Sequence, residues 1–148
     1  MIIPDRVNVC GTVYDVIVTE KPTVIDNGIA RGLCSNARQI LYVFSKIGFT
    51  DVVLNTVAII DQNVEMMVST LYHEIFHAIL SVLSLGEHNN EANADLFSNI
   101  AVNINKDDNL MEIFETFRKI VTEISDADYR KIEYVIANTK FEFDKLDE

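Results

Sequence analysis

Beyond Asp61 the apolar residues of this chain change their period. Val64, Val68, Leu71, Ile75, Ile79 and Val82 recur at intervals of three and four, the stripe of a helix that buries one face. Before that point the pattern is of the other kind. Residues 6–9 and 12–18 flank Cys10-Gly11 and are rich in Val7, Val9, Val13, Val16 and Val18, whose branched Cβ atoms favour an extended chain. Two such arms around a two-residue turn predict a β-hairpin. Strands first and helices second place the chain in the α+β class.

The remaining elements follow the same logic. Pro22 and Asn27-Gly28 punctuate a loop. Residues 30–34 and 38–44, on either side of Ser35-Asn36, read as a second hairpin, and 52–60 as a strand although Asn55 and Thr56 break its alternation. Asp61 is the expected N-cap of the first helix and Gly86 its stop. Asn89 or Asn90 opens a second helix running to about residue 105, with Leu96, Phe97, Ile100 and Ile104 apolar. Asp108 is the expected cap of a third, whose stripe is Leu110, Ile113, Phe114, Phe117, Ile120, Val121 and Ile124. Ser125 and Asp128 give a capping-box-like start to a fourth, with Tyr129, Ile132, Val135 and Ile136 facing inward. Without repeats or linkers, the 148 residues predict one domain: 1–60 mainly β, 61–140 mainly α, and 141–148 a frayed tail.

Charge and composition exclude several classes of function. Twelve basic against 23 acidic residues leave a formal net charge of −11, which repels phosphate backbones, so nucleic acid is not expected as a partner. Arg118-Lys119, the nearest approach to a basic patch, reads as a solvated helix face. The start, MIIPDRVNVC, has neither the basic nor the apolar region of a signal peptide. The most apolar window, residues 71–85, is interrupted by His73, Glu74 and His77 and is too short to cross a bilayer, so no membrane partner is expected either. Cys10 and Cys34 make neither a disulfide framework nor a CxxC knuckle and are expected as buried free thiols. These features together predict a cytoplasmic protein.

The chemistry lies in residues 70–100, TLYHEIFHAILSVLSLGEHNNEANADLFSNI. His73-Glu74-Ile75-Phe76-His77 is HExxH. Residues four apart on a helix sit one above the other, so both imidazoles reach the same side and can bind one zinc ion at about 2.0–2.1 Å each. Glu74 is rotated about 100° from His73, beside the ion, where it can deprotonate a water bound there. The helix is apolar nearly all round except for a seam through Thr70, His73, Glu74, His77, Ser81 and Ser84, which implies a cleft or internally satisfied polar groups. No Lys or Arg lies three or four residues from Glu74 to pair with it, and an uncompensated carboxylate on a buried helix is expensive. A catalytic zinc takes three protein ligands and keeps one position for water. The third-ligand candidate is Glu91, with Glu87 as the alternative. Glu91 also has a simpler explanation, because an acidic first turn favours any helix. Asp95, one turn after Glu91, would accept the second N–H of a ligand histidine. His88 is a candidate oxyanion donor or alternative ligand, though an exposed loop histidine is the default. Tyr72, Tyr129 and Tyr134 are further donors for which aromatic packing is the default.

HExxH followed by ExxxD resembles the gluzincin class of zinc metallopeptidases. The TLYHEIFHAIL segment, the E-A-N-A-D-x-F run and the hairpin VNVCGTVYDVIV look like small one-domain zincin-like proteins of the ImmA/IrrE type and of phages or mobile elements. The specific likeness covers about residues 70–100, and the gap from His77 to Glu91 is shorter than in the large gluzincins. Residue 83 is Leu, so no metzincin continuation exists. The resemblance implies a zinc-dependent peptide hydrolase with ligands His73, His77 and Glu91, Glu74 as base, and Asp95 behind His73. It also implies that a peptide or protein substrate pairs with an edge strand, for which 38–44 and 52–60 are the candidates. Two other readings stay open: a zinc protein without activity, whose ion joins two helices with Glu87, His88 or Asp95 as fourth ligand, and a metal-free interaction module.

Overall fold

The computed structural model describes residues 3–20, 31–104 and 109–143. The fold is α+β. Strands β1 (Arg6–Val9), β2 (Thr12–Thr19), β3 (Gly32–Ser35) and β4 (Ile40–Phe44) come first, then a separate hairpin of β5 (Lys46–Asp51) and β6 (Thr56–Asp61). Helices α1 (Val64–Val82), α2 (Glu91–Ile104), α3 (Leu110–Ile120) and α4 (Asp126–Ala137) follow, and β7 (Thr139–Glu142) returns to the sheet.

The main sheet has the order β3-β4-β2-β1-β7. The β1–β2 hairpin forms as expected, with Val9 opposite Thr12. Cys10 and Gly11 take φ of 50° and 96°, the pair of left-handed conformations that suits the twist of a two-residue hairpin turn. β3 and β4 form the second expected hairpin. The two hairpins join through a parallel β2–β4 pair, so the sheet is mixed rather than wholly antiparallel.

Four boundaries differ from expectation. The apolar run Val52-Val53-Leu54 is a turn rather than part of a strand: Asp51 Oδ1 accepts the N–H groups of Val53 and Leu54 at 3.0 and 3.1 Å, and Asn55 supplies a φ of 50°. Asn63, not Asp61, caps α1, accepting the Met66 N–H at 2.8 Å, while Asp61 ends β6. Gly86 is not the stop of α1. That helix ends at Val82, and Ser84 takes the left-handed φ of 55°. The supposed frayed tail includes Phe141 and Glu142, which pair with Val7 and Arg6 as part of β7. Residues 144–148, the loop containing Pro22 and Asn27-Gly28, and the cap candidate Asp108 lie outside the described residues. Within them, Asn109 caps α3. Asn90 Oδ1 accepts the Asn93 N–H at the start of α2, and Ser125 caps α4 as expected.

Helix α1 runs through the middle of the core. Leu71, Tyr72, Ile75, Phe76, Ile79 and Leu80 are buried between the sheet residues Val7, Val9, Leu41 and Val43 and the helical residues Phe97, Ile113, Phe114 and Phe117. Each such side chain contributes about 1.5–3 kcal/mol by leaving water. The motif is therefore fixed to the best-packed element of the fold. No helix among the described residues is long and apolar enough to cross a membrane.

Candidate metal centre

Burial of α1 is so complete that its polar seam divides in two. Thr70 and Glu74 turn under strand β3, where they are among the few buried polar residues. His73 and His77 sit at the surface end of the seam, with side chains 16% and 15% exposed. Strand β3 approaches this helix very closely. A Cβ added at Gly32 would lie 2.5 Å from Thr70 Cγ2, 2.6 Å from the Tyr42 carbonyl and 3.2 Å from Glu74 Cγ, so this close approach of β3 to α1 requires glycine. The Cys34 backbone N–H donates to the Glu74 carboxylate. Burial, and then the negative charge of Glu91, push the Glu74 carboxyl up to about 8 despite that bond.

Helix α2 supplies the other half of the site. Its first residue, Glu91, straddles both rings: Oε2 lies 2.9 Å from His73 Nε2 and Oε1 lies 3.1 Å from His77 Nε2. The two Nε2 atoms are 3.2 Å apart. Three donors placed at about 2.0–2.1 Å from one tetrahedral ion would be separated by about 3.3 Å, so the observed triangle is the size zinc requires.

Each ring is held from behind. Asp95 Oδ1 lies 2.9 Å from His73 Nδ1, and Asn89 Oδ1 lies 2.6 Å from His77 Nδ1. Asn89 is oriented in turn, since its Nδ2 donates to the His77 carbonyl at 3.4 Å. Both Nδ1 atoms therefore donate, and in the neutral rings both Nε2 atoms turn a lone pair towards a carboxylate. In that tautomer the lone pairs of the two rings and the carboxylate converge at about 3 Å, an arrangement that a bound cation would stabilise. The donor set thus fits a divalent transition ion, and two imidazoles with one carboxylate are among the ligand sets of catalytic zinc.

The residues singled out in the sequence fall into two groups. His73, His77, Glu91, Glu74 and Asp95 come together as expected. Glu87 and His88 do not join them. His88 Nε2 lies 3.3 Å from Asp128 Oδ2 and 3.9 Å from Glu87 Oε1, in a separate cluster beside α4. Glu91 rather than Glu87 therefore completes the histidine triangle. His88 is not the exposed loop residue of the default reading, for its side chain is only 12% exposed. Tyr72 packs edge-on against Phe141 and Tyr129 stacks on Phe114, so packing accounts for both, while Tyr134 is exposed. Cys10 and Cys34 are free thiols, only partly buried. Burial and the nearby Glu74 push the Cys34 thiol up to about 12, which makes it a poor nucleophile.

Sequence reasoning missed three contributors: Asn89, Gly32 and the Cys34 N–H. Asn89 had a readable signal. Two consecutive asparagines precede α2, only Asn90 is used as its cap, and the other is free to support a histidine. No family model, curated protein or solved structure matches this chain.

Proposed function

We propose that this protein is a cytoplasmic zinc-dependent hydrolase of peptide or amide bonds, of the gluzincin type. The observation that carries the reading is the triangle of His73 Nε2, His77 Nε2 and the Glu91 carboxylate, with separations of 2.9, 3.1 and 3.2 Å and Glu74 Oε1 4.0 Å from His73 Nε2. Three ligands leave a fourth position open, and the largely exposed Glu91 side chain leaves the triangle open to solvent on one side.

When bound there, zinc lowers the pKa of a coordinated water towards about 7 and polarises a carbonyl. His73, His77 and Glu91 hold the ion, while Asp95 and Asn89 keep the Nε2 lone pairs aimed at it. Glu74 acts as the base. Burial favours its protonated form, and a dication beside it favours the carboxylate, so an occupied site returns Glu74 to the form that accepts a proton. It takes the proton as the water oxygen adds to the carbonyl carbon, then delivers it to the amine as the C–N bond breaks.

An extended peptide would pair with the outermost strand beside Glu74. That strand is β3, which corrects the earlier candidate 38–44: β4 is interior, covered by β2 and β3. β6, which overlaps the candidate 52–60, belongs to the separate hairpin. The Leu33 side chain is exposed on β3, as a residue contacting a substrate would be.

Glu74→Gln tests the assignment. The variant is expected to bind zinc with unchanged stoichiometry and to lose hydrolysis of a mixed peptide library by at least about 100-fold. Hydrolysis that persists at the wild-type rate would remove Glu74 from the mechanism.

A further inference from the structure

The loop between α1 and α2 does more than connect them. It delivers Asn89 to His77, and its neighbour His88 faces the opposite way, towards the first turn of α4. There Nε2 meets two carboxylates, Asp128 Oδ2 at 3.3 Å and Glu87 Oε1 at 3.9 Å. The backbone holds the imidazole in place: the His88 N–H donates to the Leu85 carbonyl at 3.2 Å, and the His88 carbonyl accepts from Asn93 Nδ2 at 3.1 Å. Asp128 is fixed as well, since its N–H donates to the Ser125 cap at 3.2 Å. Its side chain is 19% exposed.

We propose that Glu87, His88 and Asp128 form a second binding site for a divalent transition ion, which clamps the α1–α2 loop to α4. One atom from each residue lies within 4.8 Å of the others. The His88–Asp128 separation is already close to the roughly 3.3 Å expected between ligands on a tetrahedral ion. Glu87 needs only a change of side-chain rotamer, and its 79% exposed side chain is free to make one. Two carboxylates and one imidazole carry excess negative charge in a chain that is already strongly acidic, which a dication relieves. The imidazole selects zinc or a similar ion over magnesium or calcium. Such an ion would fix the loop from outside and so steady both Asn89 and Glu91 at the first centre. The inference is separate from the hydrolase reading, since it shares no ligand with it.

Zinc titration against a chelator of known affinity, on the full chain, tests it. Wild type is expected to take two equivalents, and His73→Ala combined with His77→Ala one. Glu87→Gln is the decisive variant. A simple hydrogen bond between His88 and Asp128 has no use for an exposed carboxylate 3.9 Å away, but a metal site loses a ligand. The expected result is a loss of at least about 10-fold in affinity for the second equivalent, with the metal-free Tm unchanged. His88→Ala should abolish that equivalent and leave the first. The proposal is overturned by a single equivalent that survives His88→Ala, by a second equivalent indifferent to Glu87→Gln, or by one that binds only at millimolar zinc. One equivalent lost in His88→Ala but kept without His73 and His77 would instead overturn the first centre and leave this one standing.

Discussion

Asn89 and Asp95 do for the two histidines what the motif alone cannot. Each accepts a hydrogen bond from an Nδ1–H and so leaves Nε2 to face the proposed ion. Replacing either removes a partner that orients a ligand without removing a ligand. Asn89→Ala and Asp95→Ala are each expected to weaken zinc binding by about 10–100-fold, measured by chelator competition. Affinity equal to wild type in both would mean that packing alone holds the rings. Glu74 makes a second prediction, about pH. Its folded pKa is raised to about 8 from 4.5, so the metal-free fold binds this proton more tightly than the unfolded chain does. That contribution is complete at acid pH and is lost as pH rises through about 8. The metal-free Glu74→Gln variant should therefore gain stability relative to wild type as the pH is raised from 5 to 9, by an amount on the order of a few kcal/mol at most, read as a widening difference in Tm. A constant difference across that range would show that Glu74 does not titrate in the fold. At this scale the sequence was informative, because spacing four apart on a helix places two side chains by geometry alone. Gly32 was harder to see, since its role depends on which strand meets the helix.

Gly32 shows what an element contributes to a site. Strand β3 must lie almost in contact with α1 to give Glu74 its backbone hydrogen bond. A methyl group at residue 32 would lie 2.5 Å from Thr70 Cγ2 and 2.6 Å from the Tyr42 carbonyl, and neither is the end of a flexible chain. Gly32→Ala is expected to cost about 1–3 kcal/mol of stability. Gly86→Ala, where nothing lies within 4 Å of the new carbon, should be near neutral. Equal Tm values for the two variants would contradict the close approach. The elements themselves were legible wherever the determinants were local. The β1–β2 hairpin follows from alternating valines around a Cys-Gly turn, and α1 from its stripe. Within 52–60, residues 56–60 are strand as expected, but Val52-Val53-Leu54 misled because they are apolar yet exposed, so hydrophobicity pointed to a strand where Asp51 and Asn55 build a turn. β5 was hidden for the converse reason: Lys-Ile-Gly-Phe-Thr-Asp contains glycine and polar residues, and it acquires its strand character from pairing with β6.

Pairings distant in sequence complete the molecule, and no local pattern encodes them. β2 meets β4 in parallel, and the last strand crosses the whole chain to cover β1. β7 brings Phe141 edge-on to Tyr72, the residue just before the motif, with ring centroids 6.1 Å apart. β7 thus supports the helix that carries the proposed ligands His73 and His77. Phe141, partly buried against the core, should on truncation to Ala cost about 1–2 kcal/mol, read as a lower Tm. An unchanged Tm would mean that this end of the chain is not part of the core. The centre on which the whole account depends can be observed directly. Anomalous diffraction at the zinc edge, from crystals of the zinc-loaded protein, should give a peak within about 2.0–2.2 Å of His73 Nε2, His77 Nε2 and a Glu91 oxygen. Zinc-loaded crystals with no peak among those three atoms would contradict it.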